Sequence, residues 1–156
     1  MSRFAMVVIA VVLAAVPALS ACGGSDKPSG PSKDERARNA FLTKVNSVCV
    51  ATNQVTDSAQ PKTLTQVPTA AQTLVPAQRA QLVTLRELTP PAEMKVTWNR
   101  ILVLLQQQIT LLDQIQVAAK HGATVGEVTK LVKLLNAAST EGQQRSVALG
   151  LANCGT

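Results

Sequence analysis

The sequence predicts an all-α fold, an antiparallel up-down-up-down four-helix bundle. Four long stretches after residue 33 repeat apolar residues at helical spacing, which is the pattern of amphipathic helices. Proline or glycine separates these stretches, and none of them alternates apolar and polar residues between turn signals as strands do. The short connections after the second and third stretches favour antiparallel neighbours.

The first predicted helix covers residues 34–57. Its apolar stripe has successive spacings of four, three, four and three residues. The stripe consists of Phe41, Val45, Val48, Thr52 and Val55, with Leu42 and Cys49 beside it. Asp34 and Glu35 suit the first turn, because the helix dipole favours negative charge there.

The second predicted helix covers residues 68–88, with Pro68 in a first-turn position. Its face consists of Ala71, Leu74, Gln78, Leu82 and Leu85. Pro76 lies inside this stretch, where a proline removes a backbone hydrogen bond. We therefore expect a kink at Pro76 or a helix that begins properly only at Val75.

The third predicted helix covers residues 91–121 and ends before Gly122. Its main face consists of Met94, Trp98, Ile101, Leu102, Leu105, Ile109, Leu112, Ile115 and Ala119. Leu104 and Leu111 widen the apolar arc to about half the circumference, as in a helix that touches two neighbours. Val103 falls on the far side.

The fourth predicted helix begins at Thr124, with Glu127 in the position that completes a capping box. Its stripe begins with Val128 and changes to small residues in the second half, at Ala138, Gly142 and Ser146. Small residues at this spacing allow another helix to approach closely. We expect the helix to end at Gly150.

Residues 1–21 have the parts of a secretory signal peptide. Arg3 supplies a positive charge, residues 4–16 are apolar throughout, and Pro17 precedes small residues. Thirteen apolar residues extend only roughly 20 Å as a helix, less than a hydrocarbon core of about 30 Å. A retained transmembrane helix is the alternative, since residues 19–21 would lengthen the span.

Leu19, Ser20, Ala21 and Cys22 resemble the lipobox of bacterial lipoproteins. The resemblance implies that the Cys22 thiol receives a diacylglycerol and that signal peptidase II cuts before Cys22. The alternative is a type I signal peptide followed by a coincidental cysteine. Because two or three acyl chains hold a protein stably on a bilayer, we expect a lipid-anchored protein on the extracytoplasmic face of the cell membrane.

A tether is predicted for residues 22–33, because Gly, Ser and Pro dominate it and no apolar residue follows Cys22. Such a composition cannot bury surface and predicts disorder. The helical bundle domain then covers residues 34–156.

Cys49 and Cys154 remain as an even pair once Cys22 is assigned to lipid, and an exported chain with such a pair predicts a disulfide. Closing this loop should contribute roughly 4–5 kcal/mol of stability. The chain has no C-x-x-C motif and a single histidine, which argues against a redox or metal thiol. For the pair to meet, the first helix must overhang the bundle or fray, start nearer Ala40, or face a fourth helix broken near Gly142. We expect the overhanging or frayed start.

The net charge of +6 falls to +5 when Arg3 leaves with the signal peptide. This charge suggests mild attraction to anionic lipid or wall polymer. No nucleic-acid partner is expected, because the basic residues are scattered and the chain has no Tyr, two Phe and one Trp.

We predict no catalytic residue, no cofactor and no metal site. His121 falls in the last turn of the third helix, where a side chain can satisfy free carbonyls. Glu87 and Glu93 flank the Pro-Pro turn and could form a glycosidase-like pair, but acids at helix ends are ordinarily solvated. Trp98 is typical of a core position, and Gln108 is expected at the core margin.

The expected function is a non-enzymatic binding or interaction module whose partner is an envelope protein, a wall polymer or a lipid. The Ala-, Val- and Thr-rich composition resembles that of small lipoproteins of high-GC Gram-positive bacteria, many of unknown function. An interaction module predicts an exposed apolar patch. One alternative is a carrier of a lipid or apolar small molecule, which predicts a cavity of a few hundred Å³ between the helices. The other is an envelope hydrolase, which predicts a cleft that gathers His121 or the pair Glu87 and Glu93.

Overall fold

Two reciprocal capping boxes begin the first and the last helix. In the computed structural model, which describes residues 30–154, α1 is Lys33–Ser58 and α4 is Val125–Leu149. The Ser32 hydroxyl accepts the Glu35 N–H at 3.2 Å, and the Glu35 carboxylate accepts the Ser32 N–H at 2.6 Å. Thr124 and Glu127 exchange the same bonds at 3.3 and 2.8 Å. The capping box at Thr124 was predicted. The one at Ser32 was not, because Ser32 and Lys33 had been assigned to the tether, whereas they form the N-cap and the first residue of α1.

The other helices are α2, Val67–Arg86, and α3, Lys95–Lys120. A 3₁₀ turn precedes each of them, at Leu64–Gln66 and Ala92–Met94. Residues 30–154 contain no strand, which confirms the all-α prediction for that part of the chain. The predicted signal peptide, Cys22 and the tether up to residue 29 lie outside the described residues.

Helix α2 runs without a break through Pro76. The prediction that it begins properly only at Val75 is therefore wrong. Pro76 is exposed, so its ring meets solvent rather than a neighbouring helix. Val67 and Ala71, in the first turns, are buried, and this burial outweighs one missing hydrogen bond at the outer face.

Helix α3 packs against both α2 and α4, while α1 packs on α2. Leu104 and Leu111 are buried, which confirms that they widen the apolar arc of this helix. Val103 is 55% exposed, which confirms that it lies on the far side. Near the start of α3, Trp98 meets Phe41 of α1 edge to face, with ring centroids 5.1 Å apart. This geometry is favourable for an aromatic pair.

The small residues of α4 lie against α3. Ala138, Gly142 and Ser146 are all buried, and a Cβ atom on Gly142 would lie 3.4 Å from Gln108 Nε2 and 4.0 Å from Leu104 Cβ. The close approach that this spacing predicted is present.

The C-terminal residues turn back across α1. Gly150 adopts a left-handed conformation, with φ 87°, which Gly accepts without steric cost. Leu151 is then fully buried and Cys154 forms the predicted disulfide with Cys49, with their Cα atoms 5.0 Å apart.

The register of α1 explains how this disulfide forms. Residues 31–40 are exposed and Phe41 is the first buried residue of α1, so the helix overhangs the packed region as expected. The alternatives of a start near Ala40 and of an α4 broken near Gly142 are wrong, because both helices are continuous.

Residues 31–154 belong to one compact unit. None of the helices in the described part of the chain is both long enough and apolar enough to cross a membrane.

Candidate ligand-binding cleft

Helices α1 and α4 face each other across a cleft. Their backbones hardly approach, and the disulfide from Cys49 to Cys154 closes one end of the gap. Two adjoining cavities, of about 170 and about 270 Å³, occupy it. We call these two cavities together the seam cleft. Four residues line both of them: Thr56, Gln78, Gln108 and Ser139.

All four helices contribute to the smaller cavity, whose floor is apolar. Trp98 and Ile101 of α3 lie there with the disulfide, and Leu151 closes the floor from the C-terminal segment. Trp98, Ile101, Cys49 and Leu151 are buried, and Cys154 is half-buried. The disulfide, the Gly150 turn and the start of α3 therefore position the floor.

The wall of the smaller cavity is polar and uncharged. Its polar side chains are Thr52, Asn53, Thr56, Gln78, Gln81, Gln108, Ser139, Gln143 and Ser146. Of the residues that the structure describes, no Lys, Arg, His, Asp or Glu lines either cavity. Both hydroxyl and amide groups donate and accept hydrogen bonds, so the wall can serve a ligand that does both.

Gln78 is the least satisfied of these groups. Its Oε1 atom is buried and accepts no hydrogen bond. An unpaired buried acceptor costs about 1–3 kcal/mol, so a donor that reached the Gln78 amide in the cleft would recover free energy. Gln108 Nε2 donates to the carbonyl of Ala138 at 3.4 Å and Gln81 Nε2 lies 3.6 Å from the sulfur of Cys49. These are long contacts and hold the two amides weakly.

The ion pairs of the domain lie outside the cleft lining. Glu141 accepts hydrogen bonds from Arg100 of α3 and from Arg145, one turn later in α4. The bonds from Arg100 and then from Arg145 lower the pKa of Glu141 to about 2. Arg79 pairs with Asp113 between α2 and α3. None of these five charged residues lines either cavity.

The predicted chemical candidates are not in the cleft. His121 caps the end of α3 and is exposed, and Glu87 and Glu93 are exposed as well. Trp98 is 1% exposed, which confirms it as a core residue. Residues 30–154 bring together no group of three His, Cys, Asp or Glu side chains that would hold a metal ion.

Polar residues within or beside the apolar stripes were the signal for the cleft. Thr52, Gln78 and Ser146 belong to the predicted stripes of the first, second and fourth helices. Gln108 was expected at the core margin of the third helix. Each interruption has an ordinary explanation when its helix is considered alone. The structure brings all four to one cavity.

Comparison of the chain with protein-family models, with curated proteins and with solved structures gives no match.

Proposed function

We propose that this protein is a lipid-anchored, non-enzymatic binding module on the extracytoplasmic face of the membrane, and that the seam cleft is its ligand site. The observation that carries the proposal is the cleft itself, a pair of cavities of about 170 and about 270 Å³. The smaller cavity is lined equally by polar and apolar side chains, and the larger one is lined mainly by apolar side chains. A concave site between helices that combines apolar side chains with a few polar groups is the usual form of a small-molecule site.

The cleft lining supports binding rather than catalysis. Ser139 and Ser146 present hydroxyls there, but a serine nucleophile needs a neighbouring base. The described residues place no histidine, carboxylate or amine in the lining. The lining can hold a molecule and cannot activate one of its own hydroxyls.

We also propose the antiparallel up-down-up-down arrangement for the four helices. Arg79 pairs with Asp113 and, further along α2, Arg86 bonds to Gln106, which is earlier in α3. Contacts that advance along α2 therefore retreat along α3, as they do between antiparallel helices. The connections between helices at residues 87–94 and 121–124 are short, which supports the same arrangement.

The anchor is proposed from Cys22 and its neighbours. Residues 23–32 separate Cys22 from the first residue of α1 and extend at most about 35 Å. The cleft would then lie close to the membrane, within reach of lipid head groups and of the wall polymer. An envelope protein that carries or delivers the ligand is a further possible partner.

Blocking the cleft tests its role. Ser139 is exposed and lines both cavities, so Ser139→Phe should fill the cleft without loss of fold. Gln144 is exposed on the same helix and outside both linings, so Gln144→Phe is the matched control. Native mass spectrometry of protein extracted from membranes should show a bound small molecule on the wild type and on Gln144→Phe. Retention of the same molecule by a folded Ser139→Phe variant would exclude the cleft as the site.

The anchor has a separate test. Intact mass should show a mature chain that begins at Cys22 and carries added acyl mass, and Cys22→Ser should abolish acyl labelling. A mature protein that keeps residues 1–21, or that begins at Cys22 without lipid, would overturn the anchor and leave the cleft unaffected.

A further inference from the structure

We infer that the seam cleft binds an uncharged, polyhydroxylated ring of the size of one sugar. This inference rests on the proposed function of the cleft as a ligand site and specifies the chemistry of its ligand. Three properties of the cleft lead to it: its neutrality, its polar groups and its floor.

Neutrality of the ligand follows from the lining. The chain has 15 Lys and Arg and 9 Asp and Glu residues, yet none of the described ones lines either cavity. A charged ligand would lose its hydration in the cleft and meet no opposite charge there, which is unfavourable. Carboxylates, phosphates and amines are therefore disfavoured as the groups that enter.

Hydroxyl groups match the wall of the cleft. The Gln78 amide oxygen is buried without a donor. The Gln78 N–H groups can donate, and the Ser139 hydroxyl can donate and accept. The Thr56 hydroxyl already donates to the Thr52 carbonyl at 3.2 Å and can still accept. A hydroxyl satisfies either need at the same position. A fatty acyl chain satisfies neither and would leave the amides unpaired against methylene groups, so the lipid-carrier alternative fits this wall less well.

The floor and the volume indicate a single ring. Trp98, Ile101 and Leu105 offer an apolar surface at the base of the smaller cavity, and a sugar ring has a C–H face to place against it. A volume of about 170 Å³ equals roughly six molecules of liquid water and is below the ~300 Å³ at which drug-sized pockets begin. The adjoining cavity, where Val132 and Leu135 lie, leaves room for a second unit.

A ring of this kind has two possible sources, a free sugar and the terminal residue of a wall glycan. The chemistry recognised is the same in both. The position of the second cavity next to the first suits an extended glycan, and a free sugar would leave that cavity to water.

Trp98 is the single tryptophan of the chain, so its emission reports directly on the smaller cavity. The full-length protein in detergent is titrated with glucose, galactose, myo-inositol and a neutral β-1,4-linked disaccharide, and in parallel with glucuronate and glucosamine. We expect saturable change in Trp98 emission with at least one neutral compound and about tenfold weaker binding of its charged counterpart. Ser139→Phe should lose the response and Gln144→Phe should keep it.

Gln78→Leu tests the named hydrogen-bonding group. It should weaken the neutral ligand about tenfold while the thermal unfolding midpoint stays or rises, because the variant removes a buried unpaired oxygen. Unchanged affinity in this variant would contradict the inference. So would equal affinity for charged and neutral compounds, or no saturable response to any neutral ring.

The source is identified by co-sedimentation with isolated cell walls. Sedimentation that the free sugar competes away indicates a glycan terminus, and sugar binding without sedimentation indicates a soluble sugar. A cleft-dependent mass in the native spectra that is not a hydroxylated ring would overturn this inference and leave the proposed function standing. Loss of the proposed function would show instead as a ligand retained by Ser139→Phe.

Discussion

Arg100 of α3 donates hydrogen bonds to both carboxylate oxygens of Glu141 in α4. Its Nε donates to Oε1 at 2.9 Å and its Nη2 to Oε2 at 2.8 Å. Arg145 Nε adds a third bond to Oε1 at 2.8 Å from one turn further along α4. Such charge-assisted, bidentate bonds fix the angle between two planar groups as well as their distance. The pair thus links α3 and α4 on the solvent side of their interface.

The Glu141 cluster should make the domain acid-sensitive in a defined pH window. The folded protein lowers the pKa of Glu141 from 4.5 to about 2, first through the hydrogen bond from Arg100. Below pH 4.5 the unfolded chain therefore binds a proton that the folded chain refuses, so this contribution to stability falls with pH and is lost near pH 2. Thermal unfolding midpoints measured from pH 6 to pH 2 should show this fall.

Glu141→Gln should reduce the fall of the unfolding midpoint between pH 6 and pH 2, because the amide has no proton to gain. Asp113→Asn is the control: it removes the ion pair with Arg79, and the fall of the unfolding midpoint that Glu141 causes should remain. A ¹³C titration of the Glu141 carboxyl in the folded protein should give a pKa of about 2. An ordinary carboxyl pKa in that titration would contradict the geometry of the cluster.

The helices could be predicted from the sequence because their signals are local. The Thr124 capping box, the Gly150 stop and the stripe at Ala138, Gly142 and Ser146 each lie within one helix. The prediction that α2 begins properly only at Val75 was wrong for a tertiary reason, since buried residues before Pro76 hold the helix together. A rule based on local sequence gives the cost of a proline inside a helix, but it does not include the free energy that burial of neighbouring residues contributes.

The cleft could not be predicted in the same way. Thr52, Gln78 and Gln108 are far apart in the chain, and a single polar residue in an apolar stripe is unremarkable in each helix. Their convergence depends on the relative rotation of four helices, which no spacing along one helix records. The helix end at Gly150 is a local signal, but the path of residues 151–154 back to α1 depends on tertiary packing, with Leu151 fully buried.

Substitutions at Gly142 should separate helix propensity from packing. A Cβ there would lie 3.4 Å from Gln108 Nε2, and that flexible amide can move by a few tenths of an ångström. Gly142→Ala should therefore be tolerated, because the helix gains up to about 1 kcal/mol. Gly142→Leu should cost about 1–3 kcal/mol by overpacking the α3 interface. Urea unfolding of both variants measures the difference, and a destabilised Gly142→Ala would mean that Gln108 cannot yield.

Gly122 and Gly150 have left-handed backbone conformations, and replacing either with a residue that has a side chain should be unfavourable. Gly122 has φ 73° and Gly150 has φ 87°, a region that costs other residues roughly 1–2 kcal/mol. A Cβ on Gly150 would touch Leu42 Cδ1 only at 3.7 Å, and one on Gly122 would meet nothing within 4 Å. Alanine at either site should thus destabilise by similar amounts through backbone strain alone. Asparagine at Gly122 should cost less than alanine, and a neutral Gly122→Ala would contradict this account.

The disulfide should determine how firmly α1 is held. Helix α1 packs mainly on α2. The Asn53 amide donates to the Asn153 carbonyl and the Asn153 N–H donates to Asn46 Oδ1, and these two bonds add little to the covalent link. Replacement of Cys49 and Cys154 by serine should cost roughly 4–5 kcal/mol in urea unfolding. Hydrogen exchange should then show α1 opening before α2, α3 and α4.

Reduction of the wild-type protein should reproduce the behaviour of the double-serine variant. Simultaneous loss of protection in all four helices would indicate instead that α1 is part of one cooperative unit. Because α1 forms one wall of the seam cleft through Thr52 and Thr56, its release should also weaken any ligand held there. The affinity of the reduced protein should therefore fall under conditions where α2, α3 and α4 remain folded, and the disulfide would then act on binding through the position of that wall.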